Sequence, residues 1–168
     1  MSEIASQEHL RKLFQEIIDS NQSWLQLIKN KRIAQLGDSL ANFIYSLAYS
    51  LTKGRCSGKR VPDAVLANAY HASALKTDLP VRGKKGQVGD AVEAFLLLSW
   101  LSGTIELEEM IMTLASHLQI PKRPTRREEI SGATIAFQRL LDEITARFHK
   151  DNFDEGGFSP SSPFQGIP

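Results

Sequence analysis

The sequence holds one cysteine in 168 residues, Cys56, so no internal disulfide can form. A reducing cytosol is the expected setting. No apolar run reaches the ~18–20 residues that span a bilayer. The first residues include the acids Glu3 and Glu8 and no apolar signal core. A soluble, cytoplasmic protein is therefore expected. Charge of either sign is not in excess: the formal net charge is +1, so bulk charge announces no nucleic-acid partner and its distribution must be read instead. Strand-type alternation is absent as well. Almost every apolar segment carries the helical period, which predicts an all-α fold. No internal repeat is evident. With 42% hydrophobic and 23% charged residues the chain has the means for one ordinary hydrophobic core.

What the sequence does have is a run, Gly89-Asp90-Ala91-Val92-Glu93-Ala94-Phe95-Leu96-Leu97-Leu98-Ser99-Trp100-Leu101, that is apolar on every face. Such a helix belongs in the middle of a domain. It nevertheless carries Asp90 and Glu93, whose spacing of three puts both side chains on one face. An unpaired buried charge costs several kcal/mol, roughly, even after relaxation. Either a divalent cation with oxygen ligands or two nearby Lys or Arg residues must offset the pair.

A second acid, Asp38, stands in a similar setting. Leu36, Leu40, Phe43 and Leu47 recur at the spacing of a buried helix stripe, with Asp38 at its flank. Both Asp38 and Asp90 follow a glycine. Glycine inside a helix costs about 1 kcal/mol against alanine, and it is tolerable where two backbones approach closely. Two helices crossing at Gly37 and Gly89 would bring Asp38 beside Asp90 and Glu93.

Leu36-Gly37-Asp38-Ser39-Leu40 resembles the signature helix of ribonuclease III, roughly Glu-Phe-Leu-Gly-Asp-Ser/Ala-Val/Ile-Leu. Val88-Gly89-Asp90-Ala91-Val92-Glu93-Ala94-Phe95 resembles that family's second acidic helix. The resemblance covers residues 30 to 120. The basic loop Val81-Arg82-Gly83-Lys84-Lys85-Gly86 precedes the second helix, as in the compact forms similar to mini-ribonuclease III, and no segment reads as a double-stranded-RNA-binding domain. The resemblance implies an endonuclease-domain helical bundle that forms a homodimer. It also implies hydrolysis of double-stranded or structured RNA to leave a 5′-phosphate, with ribosomal RNA processing suggested by the compact forms. Asp38, Asp90 and Glu93 would then be the catalytic residues and the ligands of Mg²⁺, with Mn²⁺ as a substitute. The full-length enzymes have a glutamate four residues before the first aspartate; here that position is Ala34, which bears on how many metals bind.

The rest of the chain fits around these helices. Residues 4 to 19 predict an amphipathic helix, and Ser23 caps a segment in which Trp24, Leu25, Leu27 and Ile28 face inward. The Asp38 helix should end near Thr52, before Gly54. Pro62 should open a helix in its first turn, continuing through an alanine-rich stretch to Leu75. Glu106 to Leu118 predicts a helix whose acids Glu106, Glu108 and Glu109 suit its N-terminal dipole, and Thr125 with Glu128 predicts a capping box for the last helix. Residues 1–150 read as a single domain and 151–168 as an extended or mobile tail whose Phe153, Phe158 and Phe164 could dock on a surface.

Four basic clusters lie at residues 29–32, 53–60, 82–85 and 122–127. Lys31, Arg32, Lys59, Arg60, Arg82, Lys84 and Lys85 are the expected RNA contacts. The 53–60 loop is no Walker loop, since three residues rather than four separate its glycines and Arg60 replaces the hydroxyl residue. His71 has no partner at a recognisable spacing and reads as a structural or surface residue. Two other functions fit the same residues. One is a dimer of this fold that binds RNA without cutting. The other is a helical interaction module whose acids pair with Arg82, Lys84 or Lys85.

Overall fold

The computed structural model describes residues 23–154 and the single position Lys12. The helix expected over 4 to 19, Lys12 apart, and residues 155–168 of the tail expected over 151–168 lie outside the described residues. Among the described residues the fold is all-α, with seven helices and no strand: α1 (Trp24–Leu27), α2 (Lys31–Lys53), α3 (Asp63–Ala72), α4 (Leu75–Asp78), α5 (Lys85–Leu101), α6 (Leu107–His117) and α7 (Arg126–Asp154).

The run that is apolar on every face is the central helix. In α5 Val88, Ala91, Val92 and every residue from Ala94 to Ser99 are buried. It packs between α2 and α3, while α6 and α7 close the ring from α2 round to α3. Phe95 is fully buried and meets Trp24 and Phe148 with ring centroids 6.0 Å away in each case. Trp24 and Phe148 are themselves 4.8 Å apart. Burying Phe95 alone stabilises the fold by about 2–3 kcal/mol. The polar Ser99 is accommodated in this core by donating its hydroxyl to the Phe95 carbonyl at 2.7 Å.

Helix ends follow the local sequence. Ser23 caps α1 in a box with Gln26, and Thr125 and Glu128 form the expected box before α7. Gly54 ends α2 at φ 65°, a left-handed conformation that favours glycine. Pro62 stands just before α3 rather than in its first turn. The alanine-rich stretch does not run on to Leu75. It stops at Ala72 because α7 caps both sides of the break: Gln138 donates to the Ala72 carbonyl at 3.0 Å, and Asp142 accepts the Ala74 N–H at 2.8 Å.

Of the stripe expected to be buried on α2, only Leu40 is partly buried against the core; Leu36, Phe43 and Leu47 are 44%, 51% and 38% exposed, and Leu51 continues the exposed face at 58%. The face turned to the core is instead Ile33, Ala34, Gly37, Ala41, Ile44, Tyr45, Ala48 and Tyr49. Both sets repeat at helical spacing, so periodicity alone cannot say which of two apolar faces meets α5. Small residues decide it: Ala34, Gly37, Ala41 and Ala48 let α2 lie close against the central helix, where the bulkier leucines would hold it off.

Candidate active site

The close approach has a specific centre. A Cβ on Gly37 would lie 2.1 Å from the Glu93 backbone carbonyl oxygen. Only glycine fits there, and the contact puts Asp38, the next residue, at the mouth of the crossing. The expectation of paired glycines holds for one partner. Gly89 has open space where its Cβ would be, because it lines a cavity rather than a helix contact.

That cavity, about 450 Å³, is where the acids meet. Its lining includes Asp38 from α2, and Asp90 and Glu93 from α5, so the three acids singled out from sequence share one concave site. Ala34, Lys31, Arg60 and Asp63 line it too. Glu93 is half-buried, and its carboxyl is pushed up to about 7 by burial and by the charges of Asp38 and Asp90, against a smaller opposing pull from Arg60. With Asp38, Asp63, Asp90 and Glu93 set against Lys31 and Arg60, the cavity is lined by more acids than cations. Asp38 accepts a hydrogen bond from the Asn42 side-chain amide at 2.8 Å, which fixes one of its carboxylate oxygens. Among the described residues the three acids do not close into a tight cluster that could by itself enclose a metal ion.

The basic residues fall into separate groups. Lys31 and Arg60 line the cavity, and Arg32, Arg82, Lys84 and Lys85 are exposed. Lys59 turns away: its ammonium is 2.8 Å from Glu129 and lies over the Tyr49 ring at 4.7 Å. The pairing of the acids with Arg82, Lys84 or Lys85 does not form; among the described residues Asp38, Asp90 and Glu93 have no ion-pair partner. Lys53 ties the segment just before the 122–127 cluster to the end of α2, donating to the Ile120 and Pro121 carbonyls. His71 is exposed, its ring against Tyr70. Of the acids at the start of α6, Glu109 is held at about 2 by two hydrogen bonds from Arg147, at 2.9 and 3.0 Å, and by the Glu106 backbone. It is therefore a structural residue.

Sequence reasoning missed two contributors. Asn42 was legible as an i,i+4 partner of Asp38 on one helix face. Asp63 had no such signal, since an acid after a proline reads as an ordinary helix start.

An all-α domain with four acids and two cations around one cavity at a helix crossing has the makings of a hydrolase site for phosphate esters. The family model for ribonuclease III matches residues 31–150, which include both acidic helices and the cavity. The chain belongs to the ribonuclease III family, whose domain is that of an endoribonuclease acting on RNA. No characterised protein sequence compared with the chain matches it.

Proposed function

We propose that the protein is a metal-dependent endoribonuclease that hydrolyses phosphodiester bonds in double-stranded or structured RNA, with ribosomal RNA precursors as one substrate class. The observation that carries this reading is the convergence of Asp38, Asp90 and Glu93 on one cavity at the α2–α5 crossing.

The donor set suits Mg²⁺, or Mn²⁺ in its place. Magnesium is held by one or two carboxylates together with waters and substrate oxygens, so an open group of acids fits it better than a closed cage does. Burial and then the charges of Asp38 and Asp90 raise Glu93, and a divalent cation would relieve the negative charge they share. Bound there, the ion would polarise the phosphate and lower the pKa of an attacking water. Asp38, Asp90 and Glu93 are its ligands in this reading, and Asn42 orients Asp38 so that one oxygen stays directed at the cavity. Water adds to phosphorus, the bond to the 3′ oxygen breaks, and a 5′-phosphate is left. Lys31, Arg32, Arg60, Arg82, Lys84 and Lys85 contact backbone phosphates. Little base preference is expected, because A-form RNA is read by shape and 2′-hydroxyls.

The working form is a homodimer. Leu36, Phe43, Leu47 and Leu51, with the half-buried Leu40, make a straight apolar stripe on α2 that is ~22 Å long at the helical rise. A second copy of the same stripe is a partner of matching length and chemistry across a two-fold axis.

Ala34 favours one second reading. It is buried and lines the cavity where the full-length enzymes have a glutamate, which suits a dimer that binds RNA without cutting it. Incubating the protein with a labelled RNA hairpin and Mg²⁺, then mapping the ends formed, separates the two. Cuts within the stem that leave 5′-phosphates support the nuclease. Retention of uncut RNA on a gel supports the binding-only dimer.

A further inference from the structure

The segment between α2 and α3 is extended, and it runs beside α2 in a fixed register. Ser50 accepts the Ser57 N–H at 2.9 Å. Ser46 accepts the Lys59 N–H at 2.9 Å and donates to the Lys59 carbonyl at 2.8 Å. Asn42 accepts the Val61 N–H at 2.8 Å. Every second residue of the segment therefore meets every fourth residue of the helix. The steps are commensurate: two extended residues advance ~6.6 Å and four helical residues ~6 Å.

The same ladder ends at the acids. Asp38, Asn42, Ser46 and Ser50 lie at i, i+4, i+8 and i+12, and the Asn42 amide that holds Val61 also holds Asp38. On its other side the segment is pinned by Lys59, through Glu129 and the Tyr49 ring. Arg60 sits between these two anchors. It is exposed, it has no ion-pair partner among the described residues, and it lines the cavity with Asp38, Asp90 and Glu93. A backbone fastened at both neighbours fixes where the Arg60 side chain starts, and its planar fork matches a phosphate's oxygens.

Ala34 leaves the same cavity one carboxylate short, and with it fewer ligands for a second cation. We propose that Arg60 contacts the scissile phosphate itself and supplies there the positive charge that the site at Ala34 cannot recruit, with Ser46 and Asn42 as the positioning residues that hold it. The proposal rests on the nuclease reading. Arg60 moves no proton: as water adds to phosphorus and the bond to the 3′ oxygen breaks, that oxygen takes its proton from solvent, and the guanidinium stays charged throughout.

The test uses the full chain and a labelled RNA hairpin with a duplex stem. Cleavage is followed in single turnover with Mg²⁺ at saturating protein, and RNA affinity is followed against salt in EDTA. Arg60→Ala should slow cleavage by ~10²–10³-fold, the usual loss for one donor to a developing oxyanion. Its log–log salt slope should fall by ~0.7–0.9, the value of one phosphate contact. Arg60→Lys should recover part of the rate, and free guanidinium should partly rescue the alanine variant. Ser46→Ala should slow cleavage with RNA affinity kept, and Ser46→Thr, which retains the hydroxyl, should restore it. An Arg60→Ala rate within about threefold of wild type overturns the proposal, as does an unchanged slope. If the wild type cuts nothing, the nuclease reading fails and the scissile-phosphate role with it. The slope then shows only whether Arg60 touches RNA.

Discussion

Replacing Glu93 with glutamine should stabilise the protein, and only above a definite pH. Glutamine keeps the shape of the side chain and removes a charge that burial disfavours first and that Asp38 and Asp90 also repel. In the folded protein the Glu93 carboxyl is pushed up to about 7, from an ordinary 4.5. A displacement of that size corresponds to about 3 kcal/mol. Because Glu93 is only half-buried, screening by solvent reduces this to about 1–2 kcal/mol. Below pH 4.5 the carboxyl is protonated in both folded and unfolded chains, so the substitution gains nothing. Between 4.5 and about 7 the unfolded chain has released the proton and the folded one still holds it, so wild-type stability falls as pH rises. Above 7 the deficit is complete and constant. Thermal melts in EDTA should therefore show equal midpoints for wild type and Glu93→Gln near pH 4. At pH 8 the variant should melt ~2–8 °C higher. Mg²⁺ should narrow the gap by raising the wild type more. Equal midpoints at both pH values, or a variant that melts lower at pH 8, would refute the burial and crowding of the Glu93 charge on which this prediction depends.

Three further perturbations probe the frame. Gly37→Ala should disrupt the α2–α5 crossing, because its Cβ would fall 2.1 Å from the Glu93 backbone carbonyl; a loss of ~3 kcal/mol or more, read as the denaturant midpoint, is expected, whereas Gly89→Ala should be tolerated. Phe43→Asp should leave the circular dichroism spectrum unchanged and reduce the mass by light scattering from twice 18.7 kDa to 18.7 kDa; an unaltered mass removes the α2 stripe from the interface. Arg147→Ala should cost under ~1 kcal/mol, since its partners Glu109 and Glu143 are largely exposed. The loss from its Glu109 pair should be complete above pH 4.5 and vanish as pH falls towards 2, where Glu109 protonates in the folded protein too. A difference that persists at pH 2 would assign Arg147 a packing role instead.

The all-α architecture was legible because almost every apolar segment carries the helical period, and the central place of α5 because a helix that is apolar all round must be buried on every side. The convergence of Asp38, Asp90 and Glu93 was legible for a related reason: charges on such helices need a shared compensation, and Gly37 marks where the helices can touch. The choice of face on α2 was not legible. Leu36, Phe43 and Leu47 obey the same period as Ile33, Gly37, Ile44 and Ala48, and hydrophobicity favours the leucines. Only the fit of small residues against the α5 backbone reverses the choice, and that is a tertiary quantity. The break at Ser73 was hidden likewise, since its caps, Gln138 and Asp142, come from a helix some seventy residues on. The 53–60 loop showed its charge in sequence but not its division of labour. Adjacent residues, Lys59 and Arg60, are turned to different surroundings, Glu129 and Tyr49 for one and the cavity for the other, by the register of the chain against α2.

The most direct test of the account is cleavage of a duplex-stem RNA by wild type and Glu93→Gln, each with Mg²⁺ and with EDTA. The wild type should cut with Mg²⁺ alone and the variant should not cut, although both bind the RNA. Cutting by Glu93→Gln at the wild-type rate, or wild-type cutting that persists in EDTA, would rule out a metal-dependent site at Glu93.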